Sequence, residues 1–558
     1  MIRGDASEQA RFARASAFVQ ARGLAAESSL AALFDASLAP ADADADVIKL
    51  LRQMHESAGW VLLESTIADL PADLRWLYES DAITLDQLAE LHRRLGVTTA
   101  ADLAAAIDEG RLSDPGLGEG IAAAVANVLP TLRAATPRIP LGKATATIEP
   151  ILARLAAQPG VSWAFPAGSL RRGEETVGDI EIVASVENPA AAIGAVLEEP
   201  GGVRSLHRSA RRVHALVDRV QVGVVLPDAE RAAATLLYRT GSPRHVAELR
   251  RRAHIEGLTL SSMGLFAADG TLVAASSEAA VYDRLGLPFI PPELRGGDRE
   301  FAAADEGALP RLVSQGDIHG DLHMHSTWSD GRDSIEAMVH ACANLGYEYM
   351  AITDHSPSSS AARNLTIEGV QKQAEEIEQI RERYPQIAIM HGCETDILPD
   401  GRLDFPDRIL ERFDIVLASL HERAGQAPEQ LLRRYTEAMR HPLVAALTHP
   451  TNRLVPHRAG YDLDYERLFE LAAATHTALE VDGAPAHLDL DGALTRKAIA
   501  AGATVIVDSD CHRADFLGRQ MQLGLLMARR GWAEPRHVLN TRPLADVRAF
   551  IAAKRARR

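Results

Sequence analysis

Between residues 317 and 558 the sequence spaces out nine nitrogen and oxygen donors: His323, His325, Asp330, His355, Glu394, His421, His449, Asp510 and His512. His323-x-His325 and Asp510-x-His512 have i, i+2 spacing, which puts both side chains of a pair on one face of a strand, as converging ligands require. A donor set of imidazoles and carboxylates without thiolates suits zinc, manganese or iron in a hydrolytic site. Nine donors exceed the needs of one ion, so two or three are expected, and a carboxylate such as Glu394 could bridge two of them. With 20 histidines in 558 residues, about 0.7 H-x-H patterns arise by chance, so the set carries the inference and the single motif does not. A lone His421 or His449 would ordinarily be a hydrogen-bonded core residue. Cys393 and Cys511 neighbour ligands in sequence and are expected to be small packing residues pointing away.

The elements that must position these donors are seven strand-like segments: DLHMHS, YMAITDH, IAIMHGCETDI, IVLASLH, VAALTHP, ALEVDG and TVIVDSDCH. Amphipathic helical stretches separate them, the best running from the cap residue Thr366 to Pro385, with Ile367, Val370, Ala374, Ile377 and Tyr384 on one face. Strand and helix alternating at this frequency predict a parallel sheet, open or closed into a barrel. In six of the seven segments a histidine or acid sits at or beyond the C-terminal end, where parallel α/β barrels place their chemistry.

These motifs, DLHMHSTWSDG, AITDHS, HGCETDI, ASLH, THPTNRL and DSDCH, resemble those of PHP (polymerase and histidinol phosphatase) domains across essentially all of 317–558. The resemblance implies a distorted seven-stranded TIM-like α/β barrel holding two or three manganese or zinc ions and hydrolysing phosphoesters. It also implies that all nine donors are ligands, with His323, His325, Glu394, Asp510 and His512 at the catalytic heart. Where such domains usually read EVNGNP, this chain has Glu480, Val481, Asp482, Gly483 and Ala484 ahead of Pro485, and His487 stands where arginine is common. Losing that arginine removes one phosphate contact and leaves the metals untouched.

Upstream, residues 141–290 mix β-branched runs such as DIEIVASV and VQVGVVL with helical stretches, an α+β pattern. AGSLRRGEETVGDIEIV at 167–183 resembles the nucleotidyltransferase motif of family X DNA polymerases, and YRTGS at 238–242 and YDRLGLPFIPPEL at 282–294 fit the same family. With the PHP segment, the whole chain resembles a bacterial family X DNA polymerase with a C-terminal PHP domain. That resemblance assigns Gly168 and Ser169 to the triphosphate side of a pocket, Arg172 to the same degenerate site, and Asp179 and Glu181 to a site that would take Mg2+. The family's third carboxylate is missing: QVGVVLP puts Gly223 there, or Val222 if the spacing shifts by one. Asp218, the nearest acid, falls in the preceding turn. Polymerase activity is therefore expected to be lost or severely reduced.

Residues 1–96 read as an alanine- and leucine-rich helical domain, and 97–140 as a helix-hairpin-helix-like region in which Gly116, Gly118 and Gly120 would face a DNA backbone. A Gly-rich turn between packing helices is the plain alternative. Lys49 is the only lysine before Lys143, which leaves a Schiff-base lyase one candidate and no supporting pattern. Residues 1–115 carry 19 acidic and 10 basic side chains, whereas 204–252 carry 11 arginines against 4 acids, a candidate DNA-backbone surface. Residues 291–316 read as a linker between the 141–290 and 317–558 domains.

The net charge of −17 argues against coating nucleic acid by overall charge. No apolar run reaches the roughly 18–20 residues that span a bilayer, the N-terminus lacks a signal peptide's apolar core, and three cysteines cannot build a disulfide framework, so a cytoplasmic protein is expected. The function expected is a metal-dependent phosphoesterase on gapped, nicked or 3′-ended DNA, a 3′→5′ exonuclease with abasic-site cutting as an extension, and no obligate protein partner. Gap-filling polymerase, small-molecule phosphatase of histidinol-phosphatase type and non-catalytic DNA-end binder are the competing readings.

Overall fold

The computed structural model describes residues 14–15, 17–18, 47–51, 72–80, 82–113, 117, 120–135, 138–198, 203–217, 220–359, 363–421 and 426–557. Lys49 falls in a short helical stretch, whereas Asp218, Gly116 and Gly118 lie outside the described residues.

Leucine and alanine recurring at helical spacing yield α1 (Ala72–Glu79), α2 (Leu85–Leu95), α3 (Ala100–Asp108) and α4 (Ile121–Ala135), closed around Leu74, Leu77, Leu88, Leu91, Leu103 and Val125. Thr84 with Gln87, and Thr99 with Asp102, form capping boxes that satisfy the first amides of α2 and α3. Gly120 stands directly ahead of α4 at φ 86°, a conformation glycine reaches without steric cost.

The central body is a mixed five-stranded sheet of β1 (Val161–Pro166), β2 (Ile180–Val186), β3 (Arg204–Arg208), β4 (Arg212–Val217) and β5 (Val220–Val225), in the order β1-β2-β5-β4-β3. Only β2 and β5 run parallel. α5 (Leu141–Ala157) covers one face with Ile148, Ile151 and Leu155, and α6 (Ala229–Thr240) lies against β2. The segment 291–316 carries a helix, Glu300–Asp305, and the fully buried Arg295, whose guanidinium meets Glu278 at 2.7 Å.

The last body is a sheet of seven parallel strands in sequence order: β6 (Gly320–Asp321), β7 (Tyr349–Ile352), β8 (Ala388–Asp396), β9 (Ile415–Ser419), β10 (Ala446–Leu447), β11 (Ala478–Asp482) and β12 (Val505–Asp508). The sheet curls until its ends nearly meet, and a bridge between Met324 and Cys511 spans the remaining gap. Helices wrap the outside; the helix after cap Thr366 covers Ile367–Arg383, with Val370 and Ile377 buried and Ile367 left exposed. α7 (Leu517–Arg530) is the wall shared with the central body, where Arg529 pairs with Glu293 at 2.7 Å and Arg530 donates to the Arg172 carbonyl at 3.2 Å. α8 (Leu544–Arg555) plugs the end where the strands begin, setting Phe550 and Ile551 against Tyr349, Ile415 and Ala478. The opposite end, where the strands finish, stays polar.

Candidate metal centre and the second cleft

Every ligand candidate of the sequence arrives at that polar end. His323 and His325 follow β6, His355 follows β7, Glu394 lies in β8, His421 and His449 follow β9 and β10, and Asp510 and His512 follow β12. Asp330 comes from the loop after β6. Eight of the nine fall into three overlapping groups of donor atoms close enough to hold an ion: His325, Asp330, His355 and His512; His323, His325 and Asp510; and His355, Glu394 and His421. His449 joins no group, but its Nε2 lies 2.8 Å from Glu394 Oε1. His449 (φ 26°) and Asp510 (φ 47°) hold left-handed backbone, a strain that surrounding structure must impose on non-glycine residues.

The donors fit cations. His325 Nδ1, His355 Nδ1, His449 Nδ1 and Glu394 Oε2 are buried without a hydrogen-bond partner. Glu394 Oε2 nevertheless sits 2.9 Å from His355 Nδ1, 3.5 Å from His323 Nε2 and 3.7 Å from His325 Nε2. Atoms brought this close without hydrogen-bond alignment aim lone pairs at a common point, the geometry of a ligand shell. The electrostatics agree. Burial opposes a charged His323, yet Glu480, Glu394 and Asp510 together raise its pKa well above the ordinary value. His355 and His449 are likewise pushed up, to about 10 and about 9, the acid Glu394 outweighing burial in both. Burial and the neighbouring His355 and His512 push His325 down to about 3. A site that draws positive charge this strongly is matched to metal ions.

Three residues complete the centre that ligand spacing alone does not mark. Glu480, fully buried on β11, places Oε1 2.5 Å from His323 Nδ1 and accepts the His449 backbone N–H on Oε2 at 2.6 Å. One carboxylate thus orients a ring on one strand end and a main chain on another. Asp396 holds His421 Nδ1 at 2.9 Å in the same manner. His487 stacks on His449 with ring centroids 5.3 Å apart, and burial followed by the charge of His449 lowers its pKa to about 4. Cys393 and Cys511 are both buried, and the Cys511 thiol bonds the Arg513 carbonyl at 2.9 Å.

A second cleft of about 540 Å3 opens between α3 and the central sheet, and it gathers Gly168, Ser169, Arg172, Asp179 and Glu181. Arg172 faces Glu174 and the Thr240 carbonyl. The strand register pairs Glu181 with Gly223 and, on the other side, Gly223 with His214. The position beside Glu181 therefore carries no acid. A Cβ added at Gly223 would lie 2.8 Å from His214 Cε1, so the imidazole fills that space. Arg239 Nη1 and Arg212 Nη2 reach Glu181 Oε1 at 2.6 and 3.2 Å. In the arginine-rich 204–252 stretch, Arg211, Arg212, Arg239, Arg251 and Arg252 all face carboxylates, which leaves less positive charge for a DNA backbone than the sequence count promises.

The DNA polymerase beta thumb family matches residues 235–296 and the PHP domain family matches 321–483. The "DNA polymerase/3'-5' exonuclease PolX" of Bacillus subtilis (strain 168) is 35% identical over 494 residues, 88% of this chain and 86% of that protein. The chain belongs to the PolX family. A "Probable phosphatase" of Syntrophotalea carbinolica is 34% identical to this PolX over 166 residues, 29% of the chain and 64% of the relative. Among solved structures, a ternary complex of Leishmania infantum polymerase beta (18% identity, 37% of this chain, 92% of that one) aligns with a TM-score of 0.25. The histidinol phosphate phosphatase of Lactococcus lactis with zinc, L-histidinol and phosphate (19%, 39% and 95%) aligns at 0.30. No helix among the described residues is long and apolar enough to cross a membrane.

Proposed function

We propose that this chain is a metal-dependent phosphoesterase that removes nucleotides from DNA 3′ ends, and that its polymerase-like cleft no longer extends primers. The observation that carries the reading is the convergence of three overlapping donor groups at one end of the barrel in a chain homologous to a 3′→5′ exonuclease. All nine sequence candidates would serve as ligands to two or three ions, with Glu394 the carboxylate that could be shared between them. Manganese or zinc at this centre would acidify water and neutralise phosphoryl oxygens.

The chain's own residues supply the rest. Glu480 and Asp396 fix the tautomers of His323 and His421 by accepting a hydrogen bond from Nδ1–H, leaving each Nε2 lone pair free to ligate. His512 is 35% exposed and Asp330 26%, so the group they share with His325 and His355 faces the entrance. A scissile phosphate enters most readily there. His487, neutral at pH 7, sets beside His449 a ring without the charge an arginine would bring.

The test is digestion of a 5′-labelled single strand by chelated protein resupplied with Mn2+ or Zn2+. A ladder of products shortened from the 3′ end, lost in Glu394→Gln, is expected. Intact DNA together with rapid turnover of a phosphate monoester would transfer the site to the small-molecule phosphatases.

A further inference from the structure

The second cleft contains a charge arrangement that the barrel chemistry does not use. Arg212 on β4 and Arg239 on α6 each contact two carboxylates: Glu181 on β2, and Asp102 from α3 of the helical body. Arg212 Nη2 lies 2.8 Å from Asp102 Oδ2, and Arg239 Nη2 lies 3.3 Å from Asp102 Oδ1. The four side chains are only 6–15% exposed. Two guanidiniums and two carboxylates balance, so the cluster leaves no net negative charge to recruit a divalent cation. A cation at Glu181 would first have to displace Arg239. The arginines more than offset burial and hold the Asp102 carboxyl well below the usual carboxylate range, so the anionic partner persists.

A second contact runs beside the ion pairs. His214 Nε2 meets Thr98 Oγ1 at 2.7 Å, two residues ahead of α3. The imidazole reaches Thr98 through the space that Gly223 leaves. The residue that removes the third acid is therefore the residue that admits the histidine. Further along the same helical body, Arg250 donates to the Asp108 carbonyl at 3.0 Å and Glu109 accepts the Ser262 N–H at 2.7 Å.

We propose that Arg212 and Arg239, with His214, are a latch that fastens the helical body to the central sheet and holds the polymerase-like cleft in one geometry without metal or nucleotide. The cleft has become a joint. Buried, paired charges with several hydrogen bonds fix one geometry, and removing one partner strands the other at high cost. The latch is independent of the barrel's activity.

Pulsed dipolar spectroscopy on the full chain tests it. The native cysteines are all buried, so spin labels attach selectively at Arg93→Cys on α2 and Ala190→Cys on the central body, both exposed. The parent should give one narrow distance, unchanged by Mn2+ with or without dNTPs. Asp102→Asn should broaden and lengthen it. Asp102 also caps α3, so Arg212→Gln/Arg239→Gln, which leaves that cap intact, is the decisive variant. It should lower the latched population by about tenfold or more, the scale on which stranded buried charges act. A far-UV spectrum matching the parent, with a cooperative melt, confirms that it folds. A double variant with the parent's distance distribution, or a parent whose distance moves when Mn2+ and dNTP are added, overturns the latch.

Discussion

Replacing Glu480 by glutamine tests whether one carboxylate organises the metal centre. Both carboxylate oxygens are engaged, at 2.5 Å from His323 Nδ1 and 2.6 Å from the His449 backbone nitrogen, and the side chain is fully buried. Hydrogen bonds to a charged group contribute roughly 1.5–3 kcal/mol each. Glutamine keeps one acceptor, so one contact survives and the other meets an amide NH2. The net loss is then about 1.5–3 kcal/mol, or about 10–100-fold in affinity for the ion His323 holds, the range found when outer partners of metal ligands are removed. Titration of the chelated protein with Mn2+ by calorimetry, alongside metal analysis of the purified variant, reads this directly. The group built on His325, Asp330, His355 and His512 should keep its affinity, because Glu480 touches neither His355 nor His512. A Glu480→Gln protein that binds every ion within about twofold of the parent would refute the positioning role. A uniform loss at all sites, with a lowered melting temperature, would reduce Glu480 to a general packing residue.

Three further outcomes follow from the same structure. Gly223→Asp should not restore primer extension: its Cβ would lie 2.8 Å from His214 Cε1, costing about 1–3 kcal/mol of stability by overpacking, while Arg212 and Arg239 still occupy Glu181. Nucleotide incorporation by this single variant would contradict that. Gly483→Ala should destabilise the barrel by at least about 3 kcal/mol, since its Cβ would fall inside contact distance of the Gln520 carbonyl of α7; an unchanged melting temperature would show that α7 can shift freely. Burial would raise the Glu278 pKa, but Arg295 and Arg171 outweigh it and hold the group below its usual 4.5. A depressed carboxyl stabilises the fold above pH 4.5 and ceases to as pH falls through the folded value. Glu278→Gln should therefore be less stable than the parent at pH 7, by about 3 kcal/mol with Arg295 left unpaired, and the gap should narrow in acid. A gap independent of pH would sink the assignment.

The barrel's candidate ligands were legible because all but Asp330 sit in or just after an apolar strand, and a metal shell demands donor types that few other roles require. Glu480 was not, since in ALEVDG it reads as an ordinary strand acid; its task appears only when β11 is laid beside β10 and the loop after β6. The missing third acid could be located only to Val222 or Gly223, because a one-residue slip turns a strand's faces over. In the sheet it is Gly223 that pairs with Glu181, and Val222 pairs with Ile180. The latch lay further from view. Arg239 stands within YRTGS, a motif read only for its family resemblance, and Asp102, its partner, stands 137 residues away. Contacts of that separation leave no local pattern. The eleven arginines of 204–252 suggested an open basic surface, but sequence counts charges without showing which are already neutralised.

The central claim is that the barrel shortens DNA while the second cleft adds nothing to it. A 5′-labelled primer in gapped DNA, incubated with Mn2+ with and without all four dNTPs beside a His323→Ala protein, examines both halves at once. The account predicts shortening from the 3′ end in either nucleotide condition, absent from the His323→Ala lane. Primer lengthening with dNTPs, or shortening that survives the loss of His323, would contradict it.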